Sequence, residues 1–261
     1  MLTEAQIAKY HEDGYVIPDF QLGDAEIEEI RDRHAKLVAR DSSYRDYCSH
    51  ILDEDRGFLA HCQNQVILNM VSQVIGEDIA LWNSSFFAKP PVNGKRTPWH
   101  QDGEYWCVRP LATCTVWLAV DDATRENGCL RIIRGSHKDK RLRAHDTSQA
   151  TDITLNQELK KEEYDEKDAV DLILKKGQIS LHDVYLVHGS EANNSDKPRR
   201  GMTMRFMPTT SVFDREVAHK LHIDKGITDH SERSVFLMRG VDRSGRNLFA
   251  NSSDGQTIAA E

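Results

Sequence analysis

The sequence lacks the cysteine arrangements that hold small folds together. It has five cysteines, an odd number, and none of them forms a Cys-X-X-Cys pair. A disulfide framework or a zinc knuckle needs paired or closely spaced cysteines, so we expect neither. We predict that most of the five are small buried side chains.

The sequence also lacks a long apolar run and a secretory signal at its start. Its most apolar stretch, residues 111–120, contains Thr113, Cys114 and Thr115. It is shorter than the roughly 20 residues that a membrane-spanning helix needs. The first residues show no basic group followed by an apolar segment. We therefore predict no membrane segment and a cytoplasmic location.

An excess of basic residues is missing as well. The chain has 34 Lys and Arg against 42 Asp and Glu, a formal net charge of -8. This balance argues against a nucleic-acid partner, which would need a basic stripe. A small substrate is still compatible, even an anionic one, because a pocket can carry the opposite charge. The oligomeric state stays unknown at this point.

Helices are predicted in the first 78 residues. Thr3 and Gln6 belong to a capping box that starts a helix, and Gly14 is placed to end it. Residues 15–17 are predicted as a short strand. Asp24 is a candidate cap for a second helix over 25–40, and a third helix is expected over about 62–75.

From residue 79 onwards the segments become short and rich in β-branched and aromatic residues. The predicted strands are 79–88, 113–120, 129–133, 170–174, 178–182, 185–188 and 201–208. They predict a mainly β fold with flanking helices, built as a sandwich or jelly roll. We expect one domain over 1–261, with N-terminal helices to about 78, a jelly-roll core to about 210 and a C-terminal tail over 211–261.

Two stretches are harder to assign. Residues 157–168 are nearly all charged, which is typical of a solvated loop or a surface helix. The C-terminal tail is polar, and its pattern does not distinguish a lid from a subunit contact.

His100 and Asp102 form a His-X-Asp triplet. On an extended strand, residues i and i+2 point to the same side, so an imidazole and a carboxylate can bind one ion together. His188 follows Asp102 by 86 residues (188 − 102) and is predicted to end a strand. It would complete a facial triad with three open positions, the arrangement of non-haem iron(II) oxygenases.

Other histidines compete for this role. The triplet at 11–13 ends a predicted helix, and the triplet at 222–224 has only His230 after it and no basic strand. His182 is an alternative distal ligand, but position 193, 11 residues later, is not basic. Arg199 does follow His188 by 11 positions (199 − 188). Its guanidinium could form a two-pronged salt bridge with the far carboxylate of 2-oxoglutarate.

Strand alternation predicts which side chains face the site. Thr115 and Trp117 share one face of 113–120, and Arg199 and Arg205 share one face of 199–206. The opposite faces are apolar. We hypothesise that the apolar faces pack under the N-terminal helices and that the mixed faces line the active site.

Several motifs from the first helix to about residue 208 carry a family resemblance. They are LTEAQ at 2–6, GYV at 14–16, FAKPP at 87–91, WHQD at 99–102, Trp117, ENGCL at 126–130, GSHK at 135–138, HGS at 188–190 and PRR at 198–200. Together they resemble the phytanoyl-CoA dioxygenase (PhyH-like) family, which implies a double-stranded β-helix (a cupin-like jelly roll).

The resemblance also implies an enzyme that uses iron(II), 2-oxoglutarate and O2, with His100, Asp102 and His188 as metal ligands. It implies 2-oxoglutarate contacts from Arg199, Ser190, Lys89, Trp117 and, beside Trp117, Thr115. Halogenating relatives have a small residue in the place of Asp102, so the carboxylate favours hydroxylation.

Candidate contacts to a small-molecule substrate flank these motifs or share their faces. They are Tyr105, Trp106, Arg109, Phe87 and Arg205. The two arginines would suit an anionic group such as a carboxylate or phosphonate.

Other classes also fit parts of the pattern. A metal-binding jelly roll without oxygenase activity, an isomerase for example, would explain the triad but not Arg199 and Lys89. A sensor that binds 2-oxoglutarate without consuming it would explain those two residues as well. A zinc hydrolase also uses three protein ligands, but the sequence has no His-Glu-X-X-His motif and no obvious general base.

Overall fold

Two antiparallel sheets form the centre of the protein, and N-terminal helices lie against the larger one. The computed structural model describes residues 1–250 and 257–259. The helices are α1 (Glu4–Asp13), α2 (Asp24–Arg40), α3 (Ile51–Glu54), α4 (Leu59–Cys62), α5 (Gln65–Ile75) and α6 (Arg215–Lys225).

The strands follow in chain order. They are β1 (Tyr15–Val16), β2 (Tyr47–Cys48), β3 (Ile79–Lys89), β4 (Thr97–His100), β5 (Val108–Arg109), β6 (Cys114–Ala119), β7 (Leu130–Ile133), β8 (His145–Thr147), β9 (Gln157–Leu159), β10 (Ala169–Leu172), β11 (Ile179–Asp183), β12 (His188–Ser190), β13 (Arg199–Pro208), β14 (Val212–Phe213), β15 (Phe236–Arg239), β16 (Leu248–Ala250) and β17 (Thr257–Ala259).

The larger sheet has the order β1-β11-β6-β13-β3-β15, with β2 also paired to β3. The smaller sheet has the order β10-β7-β12-β4, and the pairs β5–β14, β8–β9 and β16–β17 lie outside both. Side chains from the two sheets line one cavity, so the sheets face each other across it. This is the expected jelly roll.

The predicted helix signals are confirmed in α1 and shifted in the others. The Thr3 side chain accepts from the Gln6 amide in a capping box, and Gly14 ends the helix with φ 85°. Asp24 is not a cap: the N-cap of α2 is Gly23, and Asp24 lies in the first turn. The predicted helix over 62–75 is split, because the Asn64 side chain caps a new helix there.

One predicted strand is wrong. Val184 and Tyr185 form a turn, Leu186 and Val187 are irregular, and His188 begins β12 instead of ending a strand. The Asp183 carbonyl accepts from the Leu186 amide at 3.0 Å, and the Asp183 carboxylate accepts from the Tyr185 amide at 2.9 Å. These hydrogen bonds to Asp183 interrupt the apolar run that predicted a strand.

Residues 157–168 contain more structure than their charge predicted. They begin with β9, in which Gln157 and Leu159 are buried, and the rest is two 3-10 turns with exposed charges. The C-terminal tail also takes part in the fold, since β15 pairs with the edge of β3 and Phe249 is buried. Strands that precede residue 79 or follow residue 210, outside the predicted core range, therefore also join the larger sheet.

The outer face of the larger sheet carries the main hydrophobic core. Val116, Leu118, Met202 and Met204 pack there with apolar residues of α1, α2 and α5, such as Ile27. The opposite face of the same strands lines the cavity between the sheets. The predicted assignment of the two faces is confirmed.

Two absences predicted from the sequence can be compared with the described residues. All five cysteines are free and buried. No helix in the described residues is both long and apolar enough to cross a membrane. The cytoplasmic location stays a prediction.

Candidate active site

His100 and His188 are brought together by strand pairing in the smaller sheet. β4 ends at His100 and β12 begins at His188, and the two residues are directly opposite each other in the antiparallel register. Their ring centroids lie 4.2 Å apart. Gln101 keeps an extended backbone (φ −115°, ψ 132°), so Asp102 points to the same side as His100 although it already starts a 3-10 turn.

These three buried residues form a possible metal site. One ligand atom from each of His100, Asp102 and His188 lies within 4.8 Å of the others. Asp102 Oδ1 is 3.8 Å from His100 Nε2 and 4.0 Å from His188 Nε2. The predicted triad is therefore assembled in space by residues 86 positions apart in sequence (188 − 102).

Backbone carbonyls fix the orientation of both imidazoles. Nδ1 of His100 lies 2.8 Å from the Pro98 carbonyl oxygen, and Nδ1 of His188 lies 2.9 Å from that of Leu186. Each Nδ1–H can donate to its carbonyl, which leaves the Nε2 lone pair for a metal. Burial, together with the neighbouring His100, holds the pKa of His188 well below its usual value, so the His188 ring is neutral.

The far oxygen of Asp102 has its own partners. Thr115 Oγ1 donates to Oδ2 at 3.1 Å, and His182 Nε2 lies 3.6 Å from the same oxygen. Burial alone would raise the pKa of Asp102, but the imidazoles of His100 and His182 hold it well below its usual range. The carboxylate is ionised, and its Oδ1 faces the two candidate histidine ligands.

A cavity of about 430 Å³ lies between the two sheets around this triad. It is lined by Phe87, Thr97, His100, Asp102, Thr115, Trp117, Leu130, His182, His188, Ser190, Arg199, Thr203 and Arg205. Four of the five predicted 2-oxoglutarate contacts are therefore in one cavity with the triad.

Arg199 is a buried cation without an acidic partner. Its guanidinium donates to the carbonyl oxygens of Gly128 (2.9 Å) and Phe87 (3.0 Å) and to Ser190 Oγ (3.3 Å). Within the described residues no carboxylate lies within 4 Å of it, and it packs 5.6 Å from the Trp117 ring centroid. Burial lowers the pKa of Arg199 to about 10, so the group is still charged at neutral pH. A bound carboxylate would neutralise it.

Lys89 is the predicted cofactor contact that the structure places elsewhere. It is the strand partner of Arg199 and is buried, but it does not line the cavity. Its ammonium group donates to the Lys95 carbonyl. Burial and the neighbouring Arg199 hold the pKa of Lys89 well below its usual value.

A second cavity, of about 770 Å³, adjoins the first, because Phe87, Asp102 and Arg205 line both. Tyr105 and Trp106 line the second cavity, so four of the five predicted substrate contacts are at the site. Arg109 is the exception. It is exposed, and its Nη1 donates to the carbonyls of Trp106 and Val108 at 2.8 Å each.

Sequence reasoning missed several lining residues. Tyr47, Thr228 and His230 reach the second cavity from segments far from every motif. No local signal identifies them. Thr203, by contrast, lines the first cavity as strand alternation predicts, because it shares the mixed face of β13 with Arg199 and Arg205.

The chain was compared with known protein families. The family model for phytanoyl-CoA dioxygenase (PhyH) matches residues 10–201, most of the chain. The chain belongs to the phytanoyl-CoA dioxygenase family. It is 27% identical over 259 residues to the peroxisomal phytanoyl-CoA dioxygenase of Bos taurus, covering 88% of this chain and 76% of that protein. For the Mus musculus enzyme the identity is 30% over 289 residues, with 95% and 85% covered.

Solved structures show the same fold. The non-heme monooxygenase ThoJ superposes with a TM-score of 0.68 at 24% identity, covering 93% of this chain and 86% of that one. The epimerase SnoN, in complex with Fe3+, alpha ketoglutarate and nogalamycin RO, gives a TM-score of 0.69 at 20% identity, with 87% and 92% covered. At these identities the likeness concerns the fold.

Membership of the phytanoyl-CoA dioxygenase family makes the protein a 2-oxoglutarate-dependent dioxygenase that uses iron(II), 2-oxoglutarate and O2. The residues present fit these groups. Two imidazoles and a carboxylate are the donor set of non-haem iron(II) sites. The unneutralised Arg199 supplies the charge that a dicarboxylate needs.

Proposed function

We propose that the protein hydroxylates a small organic substrate while 2-oxoglutarate is converted to succinate and CO2. The observation that carries the proposal is one cavity that holds both the His100–Asp102–His188 triad and the unneutralised Arg199. Iron(II) with 2-oxoglutarate supplies the activation of O2, and the protein supplies binding, orientation and exclusion of water.

In this proposal His100, Asp102 and His188 hold the metal. Their ligand atoms converge from the smaller sheet and the turn after β4, so the side facing the cavity stays free for 2-oxoglutarate and O2. The Asp102 carboxylate supports hydroxylation, because it occupies the place that halogenating relatives leave to chloride. Thr115 positions that carboxylate through its 3.1 Å hydrogen bond.

Arg199 and Ser190 are the proposed site for the far carboxylate of 2-oxoglutarate. The guanidinium is already fixed by two carbonyls and by Ser190 Oγ, so little side-chain freedom is lost on binding. Trp117 packs against the guanidinium, and with Thr115 it completes the wall. Lys89 is the strand partner of Arg199 and does not line this cavity, so it has no direct contact with 2-oxoglutarate in this proposal.

The second cavity is the proposed substrate chamber. Tyr105 and Trp106 form part of its wall, and it meets the first cavity at Phe87, Asp102 and Arg205. A substrate there would present a C–H bond to the metal site, whereas 2-oxoglutarate would lie on the Arg199 side. We propose that the whole chain works as one catalytic domain, since its N-terminal and C-terminal segments both reach this chamber.

The first test is anaerobic addition of iron(II) and 2-oxoglutarate to the purified apoprotein. The expected result is the weak visible charge-transfer band of an iron(II)–2-oxo acid chelate, absent in His188→Ala and much reduced in Arg199→Ala. The surface variant Arg125→Ala, whose arginine pairs with Asp171, is the matched control and should keep the band. Iron binding without the band would contradict the proposal and favour a metal-binding jelly roll.

A second outcome of the same chemistry is represented among the similar folds, which include the alpha ketoglutarate-dependent epimerase SnoN. Once a substrate is found, 18O2 distinguishes the two. Hydroxylation places one labelled oxygen in the product and one in succinate, whereas epimerisation leaves the product unlabelled. Binding without succinate formation would indicate a sensor.

A further inference from the structure

Arg205 lies where the two cavities meet. It belongs to β13, next to Thr115 of β6, and its side chain lines both cavities although only 4% of the residue is exposed. A buried arginine normally has a carboxylate partner. Within the described residues Arg205 has none within 4 Å, and no motif of the family resemblance includes it.

The guanidinium of Arg205 makes few hydrogen bonds within the described residues. Nη1 donates to Ser85 Oγ at 2.5 Å, whereas Nε is buried without a hydrogen-bond partner in the described residues. An unpaired buried donor on a charged group is costly, and Arg205 lines both cavities, where a ligand oxyanion would offset the buried charge.

Aromatic rings surround the same guanidinium. Its carbon lies 5.2 Å from the Trp106 ring centroid, 5.9 Å from that of Phe87 and 6.0 Å from that of Trp82. Such rings can bind a substrate ammonium group, but here they already hold a cation that belongs to the protein. The charge still missing from this part of the cavity is therefore negative.

Other residues that line the second cavity also offer hydrogen-bond donors. Arg233 Nε donates to His230 Nδ1 at 2.9 Å, and burial together with the two arginines lowers the pKa of His230 to about 3. The ring is neutral, so its hydrogen is on Nε2 and can be donated. Thr228 also lines the cavity, and its hydroxyl donates to Ser49 Oγ at 3.4 Å, a long contact that a ligand oxygen would replace. Asp102, a proposed metal ligand, is the one carboxylate among the described lining residues.

We infer that the primary substrate carries an oxyanion, a carboxylate, phosphonate or sulfonate, which Arg205 binds with help from His230 and Thr228. This inference rests on the proposed function and specifies the substrate class of the same site. Arg199 would hold the far carboxylate of 2-oxoglutarate, and Arg205 would hold the substrate.

The position of Arg205 also limits the size of the substrate. Directly paired residues of neighbouring strands have Cβ atoms about 4.5–5.5 Å apart. Arg205 pairs in this way with Thr115, whose hydroxyl bonds Asp102. Arg205 and Asp102 both line the first and the second cavity, so the oxyanion would bind close to the proposed metal site. A small free acid meets this condition, whereas the phosphates of a coenzyme A thioester lie far from the acyl carbon.

The test uses the full chain with iron(II) and saturating 2-oxoglutarate under anaerobic conditions, so that the Arg199 site is filled. Methanesulfonate is added as the anionic probe, and dimethyl sulfone as the neutral probe of similar shape, at constant ionic strength. Binding is followed by the charge-transfer band and by tryptophan fluorescence, since Trp82 and Trp106 contact Arg205. Coenzyme A is the third probe.

The expected result is a saturable change with methanesulfonate and none with dimethyl sulfone. Arg205→Gln should keep the charge-transfer band but bind methanesulfonate roughly tenfold more weakly or worse, the loss of one charged hydrogen-bond pair. Arg205→Lys keeps the charge and should bind with intermediate strength. Arg125→Gln should behave as the wild type.

Several results would overturn the inference. Equal responses to sulfonate and sulfone, no response to either, or an unchanged affinity in Arg205→Gln would each do so. A response to coenzyme A alone would favour a thioester. Loss of the 2-oxoglutarate band in Arg205→Gln but not in Arg205→Lys would assign Arg205 to 2-oxoglutarate. A wild-type protein without the band would instead contradict the proposed function itself. Should Arg205→Gln fail to fold, the wild-type comparison of the two probes decides.

Discussion

A Cβ atom added at Gly201 would lie 2.2 Å from Cζ2 of Trp117, so the indole occupies the space that a side chain at position 201 would need. The two residues lie on neighbouring strands of the larger sheet, and the ring also packs against the guanidinium of Arg199. The absence of a side chain at position 201 therefore determines where Trp117 can lie in the wall of the proposed 2-oxoglutarate site.

We predict that Gly201→Ala displaces Trp117 and raises the KM for 2-oxoglutarate. Overpacking of this kind should also lower the free energy of unfolding by about 1–3 kcal/mol. Steady-state kinetics and urea unfolding measure the two effects. Gly23→Ala is the control for the KM, because a Cβ there meets only the end of the Glu26 side chain, at 3.3 Å, and Gly23 lines neither cavity. An unchanged KM in Gly201→Ala would show that Trp117 does not bound the 2-oxoglutarate site.

Thr115→Val should weaken iron binding about 10- to 100-fold, the usual effect of losing a hydrogen bond to a metal ligand. The substitution keeps the shape of the side chain and removes only the donor to Asp102 Oδ2. Competition with a chelating dye measures the affinity.

Thr113→Val is the matched control for this experiment. Thr113 lies two residues away and is also buried, but its hydroxyl has no hydrogen-bond partner in the described residues. The Thr113→Val variant should bind iron like the wild type and should be at least as stable as the wild type. Equal losses in the two variants would mean that the effect comes from packing instead of the hydrogen bond.

The distal ligand can be tested by comparing two histidines. His188→Ala should lose iron, because His188 Nε2 faces Asp102 Oδ1 and its Nδ1 is held by the Leu186 carbonyl. His182→Ala should keep iron, since His182 lies beside Oδ2, the oxygen bound by Thr115. Iron content after gel filtration decides, and the reverse result would make His182 the ligand.

His34 predicts a pH dependence of stability away from the active site. It stacks on Phe86 with ring centroids 4.3 Å apart, and burial lowers the pKa of His34 to about 4. In the unfolded chain a histidine pKa is about 6.5. Between these two values the unfolded state binds a proton that the folded state does not, so stability falls as the pH drops through this window.

The expected loss from His34 at pH 5, relative to pH 7, is about 2 kcal/mol. Urea unfolding at both pH values measures it. A His34→Leu variant should lose that much less stability on acidification, although it is less stable at pH 7. His11→Leu, at an exposed position, should show the wild-type pH dependence. If the stability of His34→Leu depends on pH as that of the wild type does, His34 can be protonated in the folded protein and the prediction is wrong.

The triad and Arg199 could be predicted from the sequence because their geometry follows from local rules. A His-X-Asp triplet on extended backbone points two ligands the same way, and strand alternation placed Trp117 and Arg199 on the inner face. The resemblance to a family supplied the pairing of these motifs. None of this required knowledge of which distant segments pack together.

The remaining parts depend on tertiary packing. The apolar residues 185–187 look like a strand, but hydrogen bonds to Asp183 turn them. Strand alternation along β3 agrees with the predicted position of Lys89, but its ammonium group donates to the Lys95 carbonyl instead of lining the cavity. Tyr47 and His230 reach the second cavity from opposite ends of the chain, and nothing local to either residue indicates this.

The two cavities are built from different parts of the chain. Among the described residues, those that line the first cavity all fall within 87–205, whereas the second cavity adds Tyr47 from before that range and Gly226, Ile227, Thr228 and His230 from after it. Exchanging these outer segments would therefore change which compound is recognised without touching a residue that lines the chamber for O2 chemistry. Phe87, Asp102 and Arg205 line both cavities, so exchange at these outer segments would reshape the remaining part of the proposed substrate chamber while the wall shared with the proposed oxidising centre stays unchanged.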